Sequence, residues 1–396
     1  MIATRELHQP LALRLLLKLL ARLKVGKLKL VVPDGTAHHF QGGPGPEAVI
    51  ILRHVDAARR VLVGGDLGLA EAYMDGQWET PDLMALLELG QRNMQALSVS
   101  RPGFWHRFLD SLLHAFRRNT RSGARRNIRY HYDLGNAFYK LWLDETLTYS
   151  SAIFAEPGQT LAEAQRNKYR HLLALLKIEP GQHLLEIGSG WGGFALYAAK
   201  EAGCQVTSVT LSEEQLKEAR ARAKAADLEG QAQFELVDYR DLRGQFDRIV
   251  SIEMFEAVGE RYWDAYFKTV HDCLRPGGRA AFQIITLRDD AFERYRHTVD
   301  FVQRYIFPGG MLPSPSVWEA CVARAGLRTE SRDFHGQHYA HTLRLWDQNV
   351  HRMEPEIHRL GFDARFLRMW HYYLAYCQAG FSTGHVDLMQ TVLVRP

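Results

Sequence analysis

The sequence predicts an α/β fold with a mostly parallel sheet, preceded by a smaller α+β unit. From His183 onward, short apolar runs alternate with helix-forming runs, the pattern of a parallel sheet covered by helices on both faces. The preceding N-terminal part instead mixes a leucine-rich helix, strands around a Pro-Asp-Gly turn and further helices. With 396 residues, 46% apolar and 24% charged, the chain can bury two cores. We expect a small domain at 1–97, a connector at 98–126 and the main domain at 127–396.

The N-terminal domain is predicted to begin with a helix over residues 11–30, LALRLLLKLLARLKVGKLKL. In a helix, Arg14, Lys18 and Arg22 form one stripe and leucines cover the rest. Such a helix can lie on an anionic membrane surface, or it can pack into a core with a solvated basic face, and the sequence leaves both open. Further on, LKLVVPDGTAHHF predicts two strands, GGPGP a loop and AVIILRH a third strand.

The connector is predicted to be a basic amphipathic segment that ends in a run of arginines: Arg117, Arg118, Arg121, Arg125 and Arg126. No nucleic-acid-binding module accompanies them, so we expect an anionic phospholipid surface as the partner and no nucleic acid. No apolar run is long enough to span a bilayer and no cleavage site follows the first helix, which predicts a cytoplasmic protein, peripheral at the inner membrane surface. The four cysteines lack C-x-x-C spacing, so we expect no metal site. A monomer and a homodimer both remain open.

The main domain is predicted to contain strands at HLLEI, CQVTSVTL, QAQFELVD, FDRIVSIEMF, GRAAFQIITL and DLMQTVLV. Long helical insertions rich in Tyr, Trp, Phe and His lie between residues 288 and 316 and between residues 337 and 380. We expect these insertions to cover the substrate site.

A glycine-rich turn joins the first of these strands to a helix in HLLEIGSGWGGFALYAAK, residues 183–200. Gly188, Gly190 and Gly193 fit the G-x-G-x-x-G pattern of nucleotide-binding crossovers. Glu186, just before the first glycine, would repel a pyrophosphate but suits a cationic ligand such as S-adenosylmethionine. A dinucleotide remains the alternative through Glu213, an acid at about the expected further distance.

Four further segments carry a family resemblance: RRNIRYHYDLGNAFYKLWLDETLTYSSAIF, SIEMFEAVGERYWDAYF, RYIFPGGMLPS and YYLAYCQAGFSTGHVDLMQTVLVR. With them the chain resembles, over nearly its whole length, the cyclopropane-fatty-acyl-phospholipid synthases. These enzymes add a methylene from S-adenosylmethionine across the double bond of a phospholipid acyl chain. The resemblance implies a seven-stranded, mostly parallel, Rossmann-like methyltransferase sheet with helical insertions and a lipid-associated N-terminal domain.

The resemblance also implies a set of cofactor-binding residues. By motif position these are Tyr149, Ser150, Glu186, Gly188, Gly190, Thr210, Leu211, Gln215, Tyr239 and Ile252. Thr210 and Gln215 follow the second strand, where ribose hydroxyls fall in such sheets. Gln215 also has a structural interpretation, because with Ser212 it fits a capping box for the next helix.

A carbocation in the reaction calls for an aromatic face, which we assign to Tyr305 and other aromatic residues of the insertion. The resemblance implies a bound bicarbonate as proton acceptor, held by Glu256 and Tyr339. The chain departs from the family pattern at two ligands of this anion, with Ser151 where many members have cysteine and Gln283 where they have histidine. Both can hydrogen-bond to bicarbonate, but a glutamine cannot relay a proton.

These departures leave several functions open. Cyclopropane formation on unsaturated phospholipid acyl chains is the leading hypothesis. A methyltransferase that gives methyl-branched or methylene acyl chains is an alternative. With glutamine in place of histidine, proton removal for ring closure is weakened, and this favours a product that forms through a hydride shift. N-methylation of a small amine and a catalytically silent lipid-binding protein are further alternatives.

Overall fold

The computed structural model describes residues 10–97, 123 and 134–396. The arginine run of the connector lies outside the described residues, and so does most of the proposed boundary segment 98–126. The domain limits at 97 and 127 therefore stay predictions.

The N-terminal unit is a four-stranded sheet packed against helices. In chain order its elements are α1 (Leu11–Leu20), β1 (Val25–Val31), β2 (Ala37–Gln41), β3 (Gly43–Leu52), α2 (Asp56–Met74), β4 (Trp78–Glu79), α3 (Leu83–Arg92) and α4 (Met94–Leu97). In the described residues the strand order is β2-β1-β3-β4, with β1 antiparallel to β2 and parallel to β3.

Two local predictions for this unit are wrong. The helix expected over 11–30 ends at Leu20, because Leu28 and Leu30 are buried while Lys27 and Lys29 are exposed, an alternation that only a strand produces. The GGPGP segment is not a loop beyond its first glycine, since β3 begins at Gly43.

Helix α1 packs into the core on one side, which was one of the two arrangements that its sequence left open. Leu13, Leu16 and Leu20 are buried in the hydrophobic core, so the helix packs against the protein. Arg14 and Lys18, one turn apart, are exposed on the opposite side. The leucine stripe therefore stabilises the fold, and the basic stripe faces solvent.

The main domain alternates strands and helices up to its insertions. Its elements are α5 (Asn136–Trp142), α6 (Leu161–Leu176), β5 (His183–Ile187), α7 (Gly193–Ala202), β6 (Gln205–Thr210), α8 (Glu213–Ala225), β7 (Ala232–Leu236), β8 (Phe246–Ile252), α9 (Trp263–Cys273), β9 (Leu274–Leu287), α10 (Asp289–Tyr295), α11 (Phe301–Tyr305), α12 (Pro315–Arg324), β10 (Arg328–Phe334), α13 (Gly336–Arg352), α14 (Glu354–Arg359), α15 (Ala364–Ser382) and β11 (Val386–Val394).

Within the described residues, the strands of this domain form one seven-stranded sheet in the order β10-β11-β9-β8-β5-β6-β7. Strand β11 runs antiparallel to both of its neighbours, and the other pairs are parallel. The predicted seven-stranded, mostly parallel sheet is confirmed. The six apolar runs correspond to β5–β9 and β11, whereas β10 at the sheet edge is polar and mostly exposed, so its periodicity did not reveal it.

The N-terminal unit and helix α15 share one hydrophobic core. Arg368 of α15 donates to the carbonyl oxygens of Tyr73 (2.5 Å) and Trp78 (2.9 Å), which fixes α15 against the N-terminal unit. In the described part of the chain, no helix combines the length and the apolar character needed to cross a bilayer.

Candidate active site

A cavity of about 840 Å³ lies at the carboxyl ends of β5, β6 and β8, where ligands bind in open parallel sheets. The insertion between residues 288 and 316 lines it, and so do helices α13 and α15 and part of the N-terminal unit. Every residue predicted to bind the cofactor lines this cavity. Of the residues predicted to be catalytic, Glu256 and Tyr339 line it, whereas Ser151, Gln283 and Tyr305 do not.

The glycine turn is held open toward the cavity by its backbone. The N–H groups of Gly188 and Ser189 both donate to the Val209 carbonyl oxygen, at 2.9 and 3.0 Å. Gly190 has φ of +49°, and a Cβ added there would meet no protein atom within 4 Å. The hydroxyl of Ser189 is buried without a partner. An open glycine and an unpaired buried hydroxyl fit a bound ligand such as S-adenosylmethionine.

Glu186 supplies negative charge at this end of the cavity. It is buried, and the Ser208 hydroxyl donates to its carboxylate. Burial raises the pKa of Glu186 to about 8, against the opposing effects of Ser208 and the Lys168 charge. Because the carboxylate is poorly solvated, a cationic sulfonium or ammonium group nearby would favour its charged form.

Thr210 and Gln215, the residues predicted to lie near the ribose hydroxyls of the cofactor, are hydrogen-bonded to each other. The Thr210 hydroxyl donates to Gln215 Oε1 (3.0 Å), and Ser212 caps α8 by accepting from the Gln215 N–H (3.3 Å). Gln215 thus serves the helix start through its backbone while its side chain lines the cavity. The capping box predicted for Ser212 and Gln215 forms only in its first half, because the Gln215 side chain bonds to Thr210 instead.

Tyr149 and Ser150 line the cavity from a loop before α6. The Tyr149 hydroxyl lies 2.9 Å from that of Tyr373 on α15. Ser150 Oγ accepts from Nζ of Lys168 (2.6 Å), which is completely buried in α6. Burial lowers the pKa of Lys168 to about 7.

At the other end of the cavity, Glu256 Oε1 accepts from the Ile285 N–H (2.6 Å), and Oε2 is buried without a partner. Burial, and then the charge of Glu253, raise the pKa of Glu256 to about 8. Glu256 is therefore mostly protonated at neutral pH.

Glu253, which directly follows β8, is the residue that sequence reasoning missed. Its Oε1 accepts from the Ser151 N–H (2.9 Å) and from Gln283 Nε2 (2.8 Å), and its Oε2 accepts from the Tyr339 hydroxyl (2.5 Å). Residues predicted to hold bicarbonate thus bind a carboxylate of the chain itself. Ser151 does so through its backbone N–H and not, as expected, through its hydroxyl, which donates to the Ala152 carbonyl oxygen at 3.0 Å. This arrangement does not fit a bicarbonate ion.

Two signals could have revealed the missed residues. Glu253 is a second acid three residues before Glu256 in SIEMFE, at a strand end where ligand-binding residues concentrate. Lys168 lies on the buried, mostly apolar stripe of α6, which also carries Leu161, Gln165 and Leu172. A lysine in such a stripe indicates a buried charge with partners.

The prediction for Tyr305 is corrected by the structure. Its hydroxyl donates to Glu71 of α2 at 2.6 Å, so the side chain ties α11 to the N-terminal unit instead of facing the cavity. The aromatic rings that do line the cavity near Glu253 include those of Tyr149, Phe307 and Tyr339.

Among the described residues, one group of side chains has atoms spaced for a metal ion. Asp347, His351 and His371 place one possible ligand atom each within 4.8 Å of one another. None of the three lines the cavity.

The family model described as mycolic acid cyclopropane synthetase matches residues 119–391. The chain belongs to this family. It is 41% identical over 386 residues to the tuberculostearic acid methyltransferase UfaA1 of Mycobacterium tuberculosis, a match covering 93% of this chain and 88% of that protein. It is 36% identical over 363 residues to the cyclopropane-fatty-acyl-phospholipid synthase of Escherichia coli, covering 88% of each.

Solved structures of the family agree. The mycolic acid cyclopropane synthase CmaA1, in complex with SAH and CTAB, matches with a TM-score of 0.64 and 30% identity, covering 68% of this chain and 97% of that one. The cyclopropane synthase MmaA2 of M. tuberculosis matches with a TM-score of 0.63 and 29% identity. The predicted S-adenosylmethionine-dependent methyltransferase of the cyclopropane synthase family is confirmed. The family match rules against the alternative of a dinucleotide cofactor. Glu213, the acid on which that alternative rested, does not line the cavity.

We predict that Gly190→Val lowers the affinity for S-adenosylmethionine by at least about tenfold, ~1.4 kcal/mol, because the new side chain enters space open to the ligand. Gly181→Val is the matched control, since Gly181 also has positive φ and open surroundings but lies outside the cavity. Isothermal titration calorimetry measures both. Equal affinities for the two variants would contradict the assignment of the glycine turn.

A second prediction concerns the pH dependence of cofactor binding. Glu186 is mostly protonated below its pKa of about 8, so binding a cation there releases a proton. The affinity of the wild-type protein should therefore rise relative to that of Glu186→Gln between pH 6 and pH 8 and level off above. Calorimetric titrations in buffers of different ionisation enthalpy measure the number of protons released when the cofactor binds. Parallel pH profiles for the two proteins would show that Glu186 does not meet the cationic group.

Proposed function

We propose that the enzyme transfers a one-carbon unit from S-adenosylmethionine to the double bond of an unsaturated acyl chain in a membrane phospholipid and forms a cyclopropane. The observation that carries this proposal is a single cavity with two unlike ends. Glu186 and the glycine turn mark a site for a cationic cofactor at one end, and the half-buried carboxylates Glu253 and Glu256 lie at the other, where apolar side chains complete the lining.

The apolar end suits a carbocation on an acyl chain. Met311, Leu312 and Leu343 line it, and the ring of Phe307 stands with them. When bound, S-adenosylmethionine supplies an electrophilic methyl group that an alkene can attack. Apolar walls keep water from capturing the resulting cation, and aromatic faces stabilise it through their quadrupoles.

The proposal of a phospholipid rests on the basic residues at the rim. Arg92 of α3, Arg288 and Arg294 line the cavity and are exposed. Guanidinium groups bind phosphate through charge-assisted hydrogen bonds. An acyl chain inside the cavity would therefore leave its headgroup phosphate near these three arginines.

A second product is favoured by one observation. The chain is 41% identical to a tuberculostearic acid methyltransferase over 386 residues. If a hydride shifts onto the cationic carbon before a proton leaves, the carbon that bears the new methyl group becomes cationic. Loss of a proton from that methyl then gives a methylene chain, and loss from a neighbouring chain carbon gives an unsaturated methyl-branched chain. All of these products start from the same methyl transfer, and they differ in whether a hydride shifts and in which C–H bond then breaks.

We predict that purified protein with S-adenosylmethionine and vesicles of cis-monounsaturated phospholipid adds one methylene mass to the acyl chain. Mass spectrometry measures the gain, and proton NMR separates a ring, which removes the olefinic signals, from a methylene product, which retains one. Vesicles with saturated chains are the control and should give no S-adenosylhomocysteine. Cofactor turnover with no mass gain on any acyl chain would contradict the proposal.

Access to membrane lipid is proposed to go through α1. Leu11 and Val63 are 68% and 64% exposed, on α1 and on α2 that packs against it, and Arg14 and Lys18 are exposed nearby on α1. Exposed apolar side chains beside basic ones are typical of helices at an anionic lipid surface. We propose that this face contacts the inner membrane surface.

We predict that Arg14→Gln with Lys18→Gln weakens binding to anionic vesicles by about 2 kcal/mol, ~30-fold, at about 1 kcal/mol per basic residue. The matched control is Lys217→Gln with Lys224→Gln, which removes two exposed charges from α8. Vesicle sedimentation at low and high salt measures the difference. Equal binding by the two double variants would place the lipid contact elsewhere.

A further inference from the structure

The carboxylate of Glu253 accepts hydrogen bonds at both of its oxygens from three residues that the family resemblance places around bicarbonate. Three donors converge on it, namely the Ser151 N–H, Gln283 Nε2 and the Tyr339 hydroxyl, at 2.5–2.9 Å. A planar carboxylate and bicarbonate present the same pair of acceptor oxygens. The side chain therefore takes the place that a free anion would need.

The backbone at Glu253 is held in an unfavourable conformation to make this possible. Its φ is +50°, in the left-handed region that is unfavourable for a residue with a Cβ. The Glu253 N–H donates to the Gln283 carbonyl oxygen at 2.8 Å, which ties the strained residue to β9. Such strain persists where the surroundings determine the conformation, and it concentrates at functional sites.

The amide of Gln283 is oriented to serve an anion. Gln390 Nε2 donates to Gln283 Oε1 (2.7 Å), and His171 Nδ1 lies 2.6 Å from Gln390 Oε1. With its oxygen occupied as an acceptor, Gln283 can present only its N–H to Glu253. A glutamine in this position therefore stabilises a carboxylate without competing for a proton.

The charges around Glu253 favour it over Glu256 as the ionised group. Burial raises the pKa of Glu253, and the charge of Lys168 and the hydrogen bonds from Tyr339, Gln283 and Ser151 oppose that rise by favouring the charged form. Glu256 has one hydrogen bond to its carboxylate and a pKa near 8, so it holds the proton of the pair at neutral pH. Where the surroundings give two neighbouring carboxyl groups different pKa values, one group can act as an acid and the other as a base.

We propose that Glu253 is the proton acceptor of this enzyme and replaces bicarbonate, an inference that rests on the proposed alkylation of an acyl double bond. A C–H bond of the newly added methyl group breaks, and its electron pair forms the ring-closing bond to the cationic carbon. The proton passes to a carboxylate oxygen of Glu253. The resulting carboxylic acid returns the proton to solvent before the next turnover.

The test exploits the strained backbone. Glu253→Gly removes the carboxylate, relieves the positive φ and leaves the three donors free for a planar anion. Glu253→Gln keeps the size of the side chain but cannot accept the proton. The matched control is Asp227→Gly, which removes another acid of positive φ (55°) from an exposed position outside the cavity.

We predict that turnover by the wild-type enzyme and by Asp227→Gly is the same in bicarbonate-free buffer and with bicarbonate added. Glu253→Gly should turn over at least about 100-fold more slowly without bicarbonate and recover at least about tenfold when it is added, since a general base commonly contributes 10²–10⁴-fold. Glu253→Gln should be slow in both buffers. Wild-type turnover that falls on removal of bicarbonate and returns with it would overturn the proposal.

A binding measurement separates this inference from the proposed function. ¹³C-labelled bicarbonate, followed by NMR line broadening, should bind saturably to Glu253→Gly and not to the wild-type protein, whatever the lipid product. The affinity for S-adenosylmethionine should be unchanged in Glu253→Gly and in Glu253→Gln. Saturable bicarbonate binding to the wild-type protein would overturn the inference, whereas absence of lipid alkylation with the binding result intact would overturn only the proposed function.

Discussion

The site depends on one buried positive charge. Lys168 reaches from α6 into the region between Glu186 at the cofactor end and Glu253 at the catalytic end, and it interacts electrostatically with both. Burying a carboxylate without a partner costs several kcal/mol, so two of them at the edge of one sheet require a compensating cation. Because burial leaves the pKa of Lys168 near neutrality, its charge responds to whatever occupies either end.

The sheet was predictable because its physical causes are local in the chain. Strands in a sheet that helices cover on both faces favour apolar residues, and six of the seven were recognisable from apolar runs between helical ones. Strand β10 lies at the edge, where one side of the ladder is unpaired and polar residues such as those of RTESRDF are tolerated, so its place depended on β11 and not on its own pattern. The helix predicted over residues 11–30 was too long, because leucines recur both in α1 and in strand β1 that follows it.

The catalytic end was less predictable because its arrangement depends on backbone conformation and on contacts between distant segments. SIEMFE shows that Glu253 lies at a strand end, but it does not show that Glu253 has a left-handed backbone or that distant donors converge on it and not on Glu256. Tyr305 was assigned by its aromatic character, but its direction is decided by Glu71, which is 234 residues away in the chain. The cofactor residues were easier, since motif positions at strand ends fix their place in the sheet and each of them lines the cavity.

The left-handed backbone at Glu253 has a consequence for how such enzymes diverge. Glycine is the residue that this conformation accommodates without strain. Glutamate and glycine codons differ at a single base, so an enzyme with its own carboxylate and an enzyme with an empty anion pocket are neighbours in mutational space. The surrounding donors would serve either version. If Glu253 replaces bicarbonate as proposed, one such substitution would change whether the reaction needs dissolved bicarbonate, and it would leave the fold intact.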